Sequence, residues 1–311
     1  MHIPESTRQR TRDRREDTTD MRFYHHLAED VTIPATDEFP LAATWRGSPG
    51  ASSVVLIAPA TGVRRGIYDA FAGYLAASGF GVLTWDWRGT GDSRPKSLQG
   101  FRATMRNWAA RDLAGAIQWA SDRCRGARLL AVGHSFGGQA FGIAPNADRV
   151  AALVTVAAQS GYWGHWPRPA RYKYALLWHV AMPAIARTVG YFPGRALGVG
   201  EDLPLGVALE WARWCRNPHY FGDWRGHLRF SAPILSFGFE DDPYAPPAAV
   251  EALHALYGSR AQRHRQVRAS EVGVRQLGHF GFFRPTARAL WDEAIDWLRA
   301  AGPRTATSRA G

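Results

Sequence analysis

Four short apolar runs dominate the first half of the chain: Ser53–Ala58 (SVVLIA), Gly81–Asp86 (GVLTWD), Arg128–Gly133 (RLLAVG) and Val150–Ala157 (VAALVTVA). A run of this length without polar alternation marks a strand buried on both faces. Segments of helical period separate them. Ile67–Ser78 carries Phe71, Tyr74 and Leu75 on one stripe, with Gly79 as its stop; Met105–Cys124 carries Trp108, Leu113, Ile117 and Trp119. Strand, helix, strand at this spacing demands crossover connections. It predicts an α/β fold with a mostly parallel sheet and helices on both faces.

The flanks complete the pattern. Val31–Ile33 and Leu41–Trp45, near Pro34 and Pro40, read as two edge strands. Pro233–Gly238 (PILSFG) is a further buried strand, followed by a helix near Ala248–Tyr257, a strand near Glu271–Gln276 and a last helix, Thr286–Ala301. Between Ser160 and Ser231 the rhythm breaks. This stretch holds six of the thirteen tryptophans (163, 166, 178, 211, 214, 224) and helical patches at Ala170–Val189 and Pro204–Arg216, but no strand run. It reads as a helical cap inserted into the core. The expected organisation is a disordered tail (1–22), an α/β core (23–159 and 232–301), the cap (160–231) and a second disordered tail (302–311).

The chain has 311 residues, 46% of them hydrophobic, enough for one large core. Two cysteines, Cys124 and Cys215, exclude a disulfide framework and a cysteine-based zinc site. The net charge of +11 raises the question of nucleic acid. The excess is dispersed, however, over 160–231 and 260–288, with no basic helix or compact Lys/Arg run, so nucleic-acid binding is not expected. Residues 1–20 carry five arginines and five acids and lack the apolar stretch of a signal peptide. No run approaches the roughly 18 apolar residues of a spanning helix. A cytoplasmic protein without integral membrane association is the expectation, and Met21 is an alternative start. No GxxxxGK[ST], HExxH, CxxC or EF-hand pattern occurs, and Arg94 stands where a third glycine would complete Gly89-Thr90-Gly91 as GxGxxG. No cofactor and no metal are expected.

The third apolar run leads directly into Gly133-His134-Ser135-Phe136-Gly137, a G-x-S-x-G pattern, and Gly137-Gly138-Gln139-Ala140 then opens a helix. The spacing has a steric reason. A Ser on a sharp strand-to-helix turn needs small residues two positions to either side, where backbones pack closely. The turn lifts Oγ clear of the sheet and aims the next amide, that of Phe136, at a developing oxyanion. The second oxyanion donor is expected in the loop after Ser53–Ala58, at the amide of Ala60, with Thr61 as the alternative.

A Ser hydroxyl needs a general base held by a third group. In chain order the acid follows the Ser and the His follows the acid. Asp242 lies just past the strand ending at Gly238, in Phe239-Glu240-Asp241-Asp242-Pro243, with Asp241 as the alternative acid. His279 stands between Gly278 and Phe280-Gly281, where glycines give its loop room. The segment after Val150–Ala157, Ala158-Gln159-Ser160-Gly161, has no carboxylate, which favours the later acid site. His134 is expected to point away from the triad. His2, His25, His26, His165, His179, His219, His227, His254 and His264 read as surface-loop histidines, and Asp86 and Arg88 as hydrogen-bonding braces of their own turn.

From about Glu29 to Ala301 the chain resembles the α/β-hydrolase superfamily, on GHSFGG (133–138), EDDPYAP (240–246), LGHFGFFR (277–284) and DWRGTGDS (86–93). PATGV (59–63) and GHFGFFR look most like a bacterial subgroup similar to serine aminopeptidases. The usual His-Gly pair of the oxyanion loop is replaced by Ala58-Pro59-Ala60-Thr61. The resemblance implies an α/β-hydrolase sheet with an inserted helical cap. With Ser at the elbow, the Asp chemistry of dehalogenase-like relatives and the Cys chemistry of lactone-opening relatives are disfavoured.

The expected activity is cleavage of a carboxylic ester (alternatively an amide, peptide or thioester) through Ser135, His279 and Asp242 and an acyl-enzyme. The expected partner is a small-molecule acyl substrate. Two rivals are an acyltransferase using the same triad and a non-catalytic ligand-binding protein on this fold.

Overall fold

The computed structural model describes residues 28–48 and 50–301; the two expected tails, 1–22 and 302–311, lie outside them. Among the described residues eight strands form one sheet: β1 (Ala28–Pro34), β2 (Pro40–Arg46), β3 (Ser53–Ala58), β4 (Gly81–Trp85), β5 (Arg128–His134), β6 (Val150–Val156), then Ile234–Phe239 and Gln262–Val267. Their spatial order is β1, β2, β4, β3, β5, β6, Ile234–Phe239, Gln262–Val267. β1 and β2 pair antiparallel, as do β2 and β4; every other neighbour is parallel.

The side-chain alternation of β3 shows why its run is apolar throughout. Val54, Leu56 and Ala58 enter one core; Val55 and Ile57 enter the other. The first core receives the long helix, α2 (Met105–Asn107), which continues through a π-helical stretch (Trp108–Leu113) into α3 (Ala114–Arg123). The second receives α1 (Asp69–Ala77) and the C-terminal helix (Arg288–Ala300), through Phe71, Leu75, Leu290, Trp291, Ile295 and Leu298. Each face of the sheet therefore buries its own apolar layer, which is the main source of stability in such a fold.

Residues 160–231 contain α5 (Ala170–Leu176), a π-helical stretch (Leu177–Ala181), α6 (Met182–Val189) and α7 (Leu205–Arg216), α4 being the short helix Phe136–Ala140. A two-stranded ribbon, β7 (Tyr191–Phe192) with β8 (Leu203–Pro204), sits among them, which the strand-free expectation missed. Its two residue pairs are too short to leave a periodic signal. Trp166, Trp178 and Trp214 are buried, and the Trp178 ring packs tilted against Trp211 at 4.8 Å.

Two further strand expectations need correction. β2 is not an edge strand, because β4 pairs along its other side. The strand expected near Glu271–Gln276 is absent there: Ala269–Val272 is a 3-10 turn. The last strand, which with its neighbour we number β10 (Gln262–Val267) and β9 (Ile234–Phe239), lies earlier. Its sequence, QRHRQV, shows no apolar run because β10 is an edge strand, held by six parallel residue pairs to β9. Arg263 and Arg265 on this edge discourage pairing with another sheet.

The turn after β4 is braced as expected. The Asp86 carboxylate accepts the backbone N–H of Arg65 at 2.7 Å and of Asp92 at 3.0 Å, and pairs with the Arg65 guanidinium. Gly91 has φ +48°, and a Cβ there would run into the Asp86 carboxylate. Arg88 donates Nε–H to the fully buried Asp112 at 2.6 Å and forks onto Asp37 at 2.6 and 2.8 Å. No described helix is long and apolar enough to cross a membrane.

Candidate active site

β5 delivers Ser135 to the end of the sheet, where the backbone turns to φ +51°, ψ −116° before α4 starts at Phe136. A non-glycine residue at positive φ is strained by about 1–3 kcal/mol and persists only when its surroundings hold it. Here the Ser135 N–H donates to Val156 O at 2.9 Å, and Ser135 O accepts the Gly138 N–H at 3.0 Å. The flanking glycines make the turn possible. A Cβ on Gly133 would overlap the Gly138 backbone, one on Gly137 the Ala58 carbonyl, and one on Gly138 the Ala158 methyl. The Phe136 N–H opens a helix and so has no intrahelical partner.

The loop after β9 carries three carboxylates, and each has a separate job. Glu240 pairs with Arg268 at the surface. Asp241 accepts the backbone N–H groups of Leu277 and Gly278 at 2.8 and 2.9 Å. Asp242 accepts the Tyr244 N–H on Oδ1 at 2.8 Å and meets His279 Nδ1 with Oδ2 at 2.7 Å. The geometry thus pairs His279 with Asp242 and gives Asp241 the backbone of the histidine loop. An ionised carboxylate only accepts, so the proton of neutral His279 resides on Nδ1 and Nε2 keeps its lone pair. Asp242 and His279 are buried, and Tyr244 and Phe280 flank the imidazole edge-on at 5.4 and 5.3 Å.

Below the turn runs a strut that sequence reasoning missed. Tyr68 Oη accepts the Ala60 N–H at 2.9 Å and lies 2.9 Å from His134 Nδ1. His134 Nε2 lies 2.9 Å from His279 O. One arrangement of protons satisfies every contact: Ala60 donates to Tyr68, Tyr68 donates to His134 Nδ1, and His134 Nε2–H donates to the His279 carbonyl. His134 was expected to point away from the triad; instead its ring lies 4.9 Å from that of His279 and holds the latter's backbone. The residue was visible next to Ser135, but its partners come from elements far away in sequence.

The strut also bears on the loop expected to supply the second oxyanion donor. The Ala60 N–H, expected as the second donor, is already committed to Tyr68 in a buried bond. Its neighbour Thr61 is half-buried, and among the described residues its N–H has no partner. Trp87 Nε1–H, donating to Pro59 O at 3.0 Å, fixes the same loop from the other side.

Ser135 Oγ does not bond to His279 in this structure. Its hydroxyl donates to Gln159 Oε1 at 3.4 Å, a long bond. Hydroxyl-to-base bonds are often open until substrate binds. The inserted segment reaches the site at several points. Trp166 Nε1–H and Tyr174 Oη–H both donate to Pro243 O beside Asp242, at 2.8 and 3.0 Å, and Tyr220 Oη–H donates to Gln139 at 3.1 Å.

Two histidines read as surface-loop residues are buried: His227 and His254. Both are held by backbone carbonyls, His227 Nε2 by Gln139 O and His254 Nδ1 by Val250 O. Burial lowers each from 6.5 to about 4, and burial together with the nearby His279 holds His134 well below its ordinary range. The unfolded chain takes up these protons near pH 6.5, the folded chain only at lower pH. Stability should therefore be complete above about 6.5 and decline as pH falls, by roughly 1.4 kcal/mol per unit per histidine. Denaturant midpoints at pH 7 and pH 5, where most carboxylates remain ionised, measure this; equal midpoints would refute it.

Among the described residues no group of three or more His, Cys, Asp or Glu is arranged to hold a metal. Residues 49–193 match the family model described as serine aminopeptidase, S33. No curated protein sequence matches the chain. Among solved structures, the fold is similar to that of DcsB in complex with its substrate analogue (TM-score 0.64, 18% identity, covering 88% of this chain and 99% of that one). It is similar too to a soluble variant of monoglyceride lipase from Saccharomyces cerevisiae with a substrate analog (TM-score 0.63, 13% identity, 89% and 97% covered). A third likeness is the esterase EaEST from Exiguobacterium antarcticum (TM-score 0.58, 15% identity, 87% and 100% covered). The fold is that of the α/β-hydrolases, and residues 49–193, just under half of the chain, match the serine aminopeptidase, S33 model.

Proposed function

We propose that the protein is a serine hydrolase that cleaves a carboxylic ester through an acyl-enzyme. One observation carries the reading. The Asp242–His279 pair sits on loops tied to the nucleophile turn, because His134, the residue before Ser135, bonds to the backbone of His279.

In this mechanism the Ser135 hydroxyl leaves Gln159 and turns to His279 Nε2. The imidazole removes the hydroxyl proton as Oγ attacks the acyl carbonyl. Asp242, at 2.7 Å from Nδ1, holds the tautomer and stabilises the imidazolium. The N–H groups of Phe136 and Thr61 receive the oxyanion, Thr61 taking the part expected of Ala60 because Tyr68 occupies the Ala60 amide. His279 then protonates the leaving alcohol. Water, deprotonated by the same imidazole, releases the acid and restores Ser135. Residues 160–231 act as a cap over this chemistry, and Trp166 and Tyr174 anchor it to the acid loop.

The experiment is labelling with a fluorophosphonate probe, followed by peptide mapping. The expected adduct is on Ser135, competed by short-chain esters that the protein also hydrolyses. Absence of labelling, or an adduct on another residue, would overturn the reading. Product analysis with added alcohols distinguishes hydrolysis from acyl transfer: free acid as the main product supports the proposal.

A further inference from the structure

Gln159 lies three residues past the end of β6 and is buried. Its side chain is fixed with an acceptor toward the nucleophile. Nε2–H donates to Tyr244 O at 3.2 Å, and a backbone carbonyl can only accept, so the amide cannot flip without setting two oxygens against each other. Oε1 therefore faces Ser135 Oγ at 3.4 Å. The backbone is pinned as well: Gln139 Nε2–H donates to Gln159 O at 2.7 Å, and Gln139 is in turn held by Tyr220 from the inserted segment.

The sheet order tells which part of a substrate Gln159 meets. Ser135 follows β5. Thr61 follows β3 on one side of it, and Gln159 follows β6 on the other, toward the Asp242 loop after β9. An oxyanion directed at Thr61 and Phe136 leaves the other side of the carbonyl carbon for the departing group, which must face His279 to be protonated. Gln159 Oε1 lies on that side.

Attack moves the Ser135 hydroxyl away, and Oε1 is then a buried acceptor without a donor. Leaving such a group unsatisfied is costly, whereas a substrate that supplies an N–H or O–H removes the cost. We infer that Gln159 selects leaving groups bearing a hydrogen-bond donor close to the scissile bond, such as a hydroxylated alcohol, over purely apolar alcohols. The inference rests on the serine-hydrolase reading and narrows its substrate class.

A matched pair tests it: the 2-hydroxyethyl and 2-methoxyethyl esters of one short acid, in which a methyl group replaces the donor hydrogen. The expected wild-type kcat/KM ratio is about tenfold in favour of the hydroxyethyl ester, falling to about one in Gln159→Met. The ratio is internal to each variant, so general losses cancel. If Gln159→Met does not fold, Gln159→Glu replaces it with the opposite expectation: an acceptor oxygen remains and so does the preference. A wild-type ratio near one, a preference that survives Gln159→Met, or one lost in Gln159→Glu overturns the role of Gln159. Failure of the wild type to hydrolyse either ester, together with no fluorophosphonate adduct, overturns instead the hydrolase reading.

Discussion

Ser135→Ala should lower kcat for ester hydrolysis by about 10⁶-fold while the protein stays folded. Both halves of the expectation come from geometry. The hydroxyl makes one side-chain bond, 3.4 Å to Gln159, which at that length satisfies the amide oxygen only weakly, so its removal takes little from the fold. The turn itself is held by the Ser135 backbone and by glycines at 133, 137 and 138, none of which the substitution touches. Alanine at φ +51° carries the same Cβ strain as serine. The unfolding midpoint should therefore shift little, which separates loss of the nucleophile from loss of the fold. His279→Ala should cost nearly as much, and the double variant little more than either alone, because the two groups act in one step. Steady-state kinetics on a p-nitrophenyl ester supply the comparison. A Ser135→Ala protein retaining more than about a hundredth of wild-type kcat would assign the chemistry to another residue.

The sequence revealed the sheet wherever strands are buried on both faces, since burial on both faces leaves no room for polar residues. β3, β4, β5, β6 and β9 are of that kind. β10 is the opposite case: its backbone ladder, not its side chains, makes it a strand, so QRHRQV carried no signal. The tight turn at Ser135 was readable because its glycines answer to backbone sterics that any such turn imposes. The choice among Glu240, Asp241 and Asp242 was not, because adjacent carboxylates differ only in which partners the fold brings to them. His227 and His254 look like surface residues in sequence since a buried imidazole is satisfied by carbonyls that leave no motif. Gln159 gave little hint: its segment, 158–161, was read only for a missing carboxylate, which obscured that the position still faces Ser135.

Asp242→Asn and Asp241→Asn should separate the two neighbours by kind of damage. Asp242 Oδ2 accepts the Nδ1 proton of His279 and Oδ1 the Tyr244 N–H. An asparagine can keep the Tyr244 bond, but to meet His279 it must present either NH₂, which forces the imidazole proton onto Nε2, or an uncharged oxygen that stabilises the imidazolium poorly. With the proton on Nε2 the base is blocked, and the expected loss in kcat is about 10⁴-fold with the unfolding midpoint nearly unchanged. Asp241 instead binds two backbone N–H groups, of Leu277 and Gly278, with both oxygens. An amide can satisfy one of them and turns its NH₂ against the other, so the histidine loop should loosen. The expected result for Asp241→Asn is a lower unfolding midpoint, by roughly 1–3 kcal/mol, with a far smaller loss of kcat than in Asp242→Asn. Equal kcat losses in the two variants would mean that the carboxylate nearest His279 does not act through it.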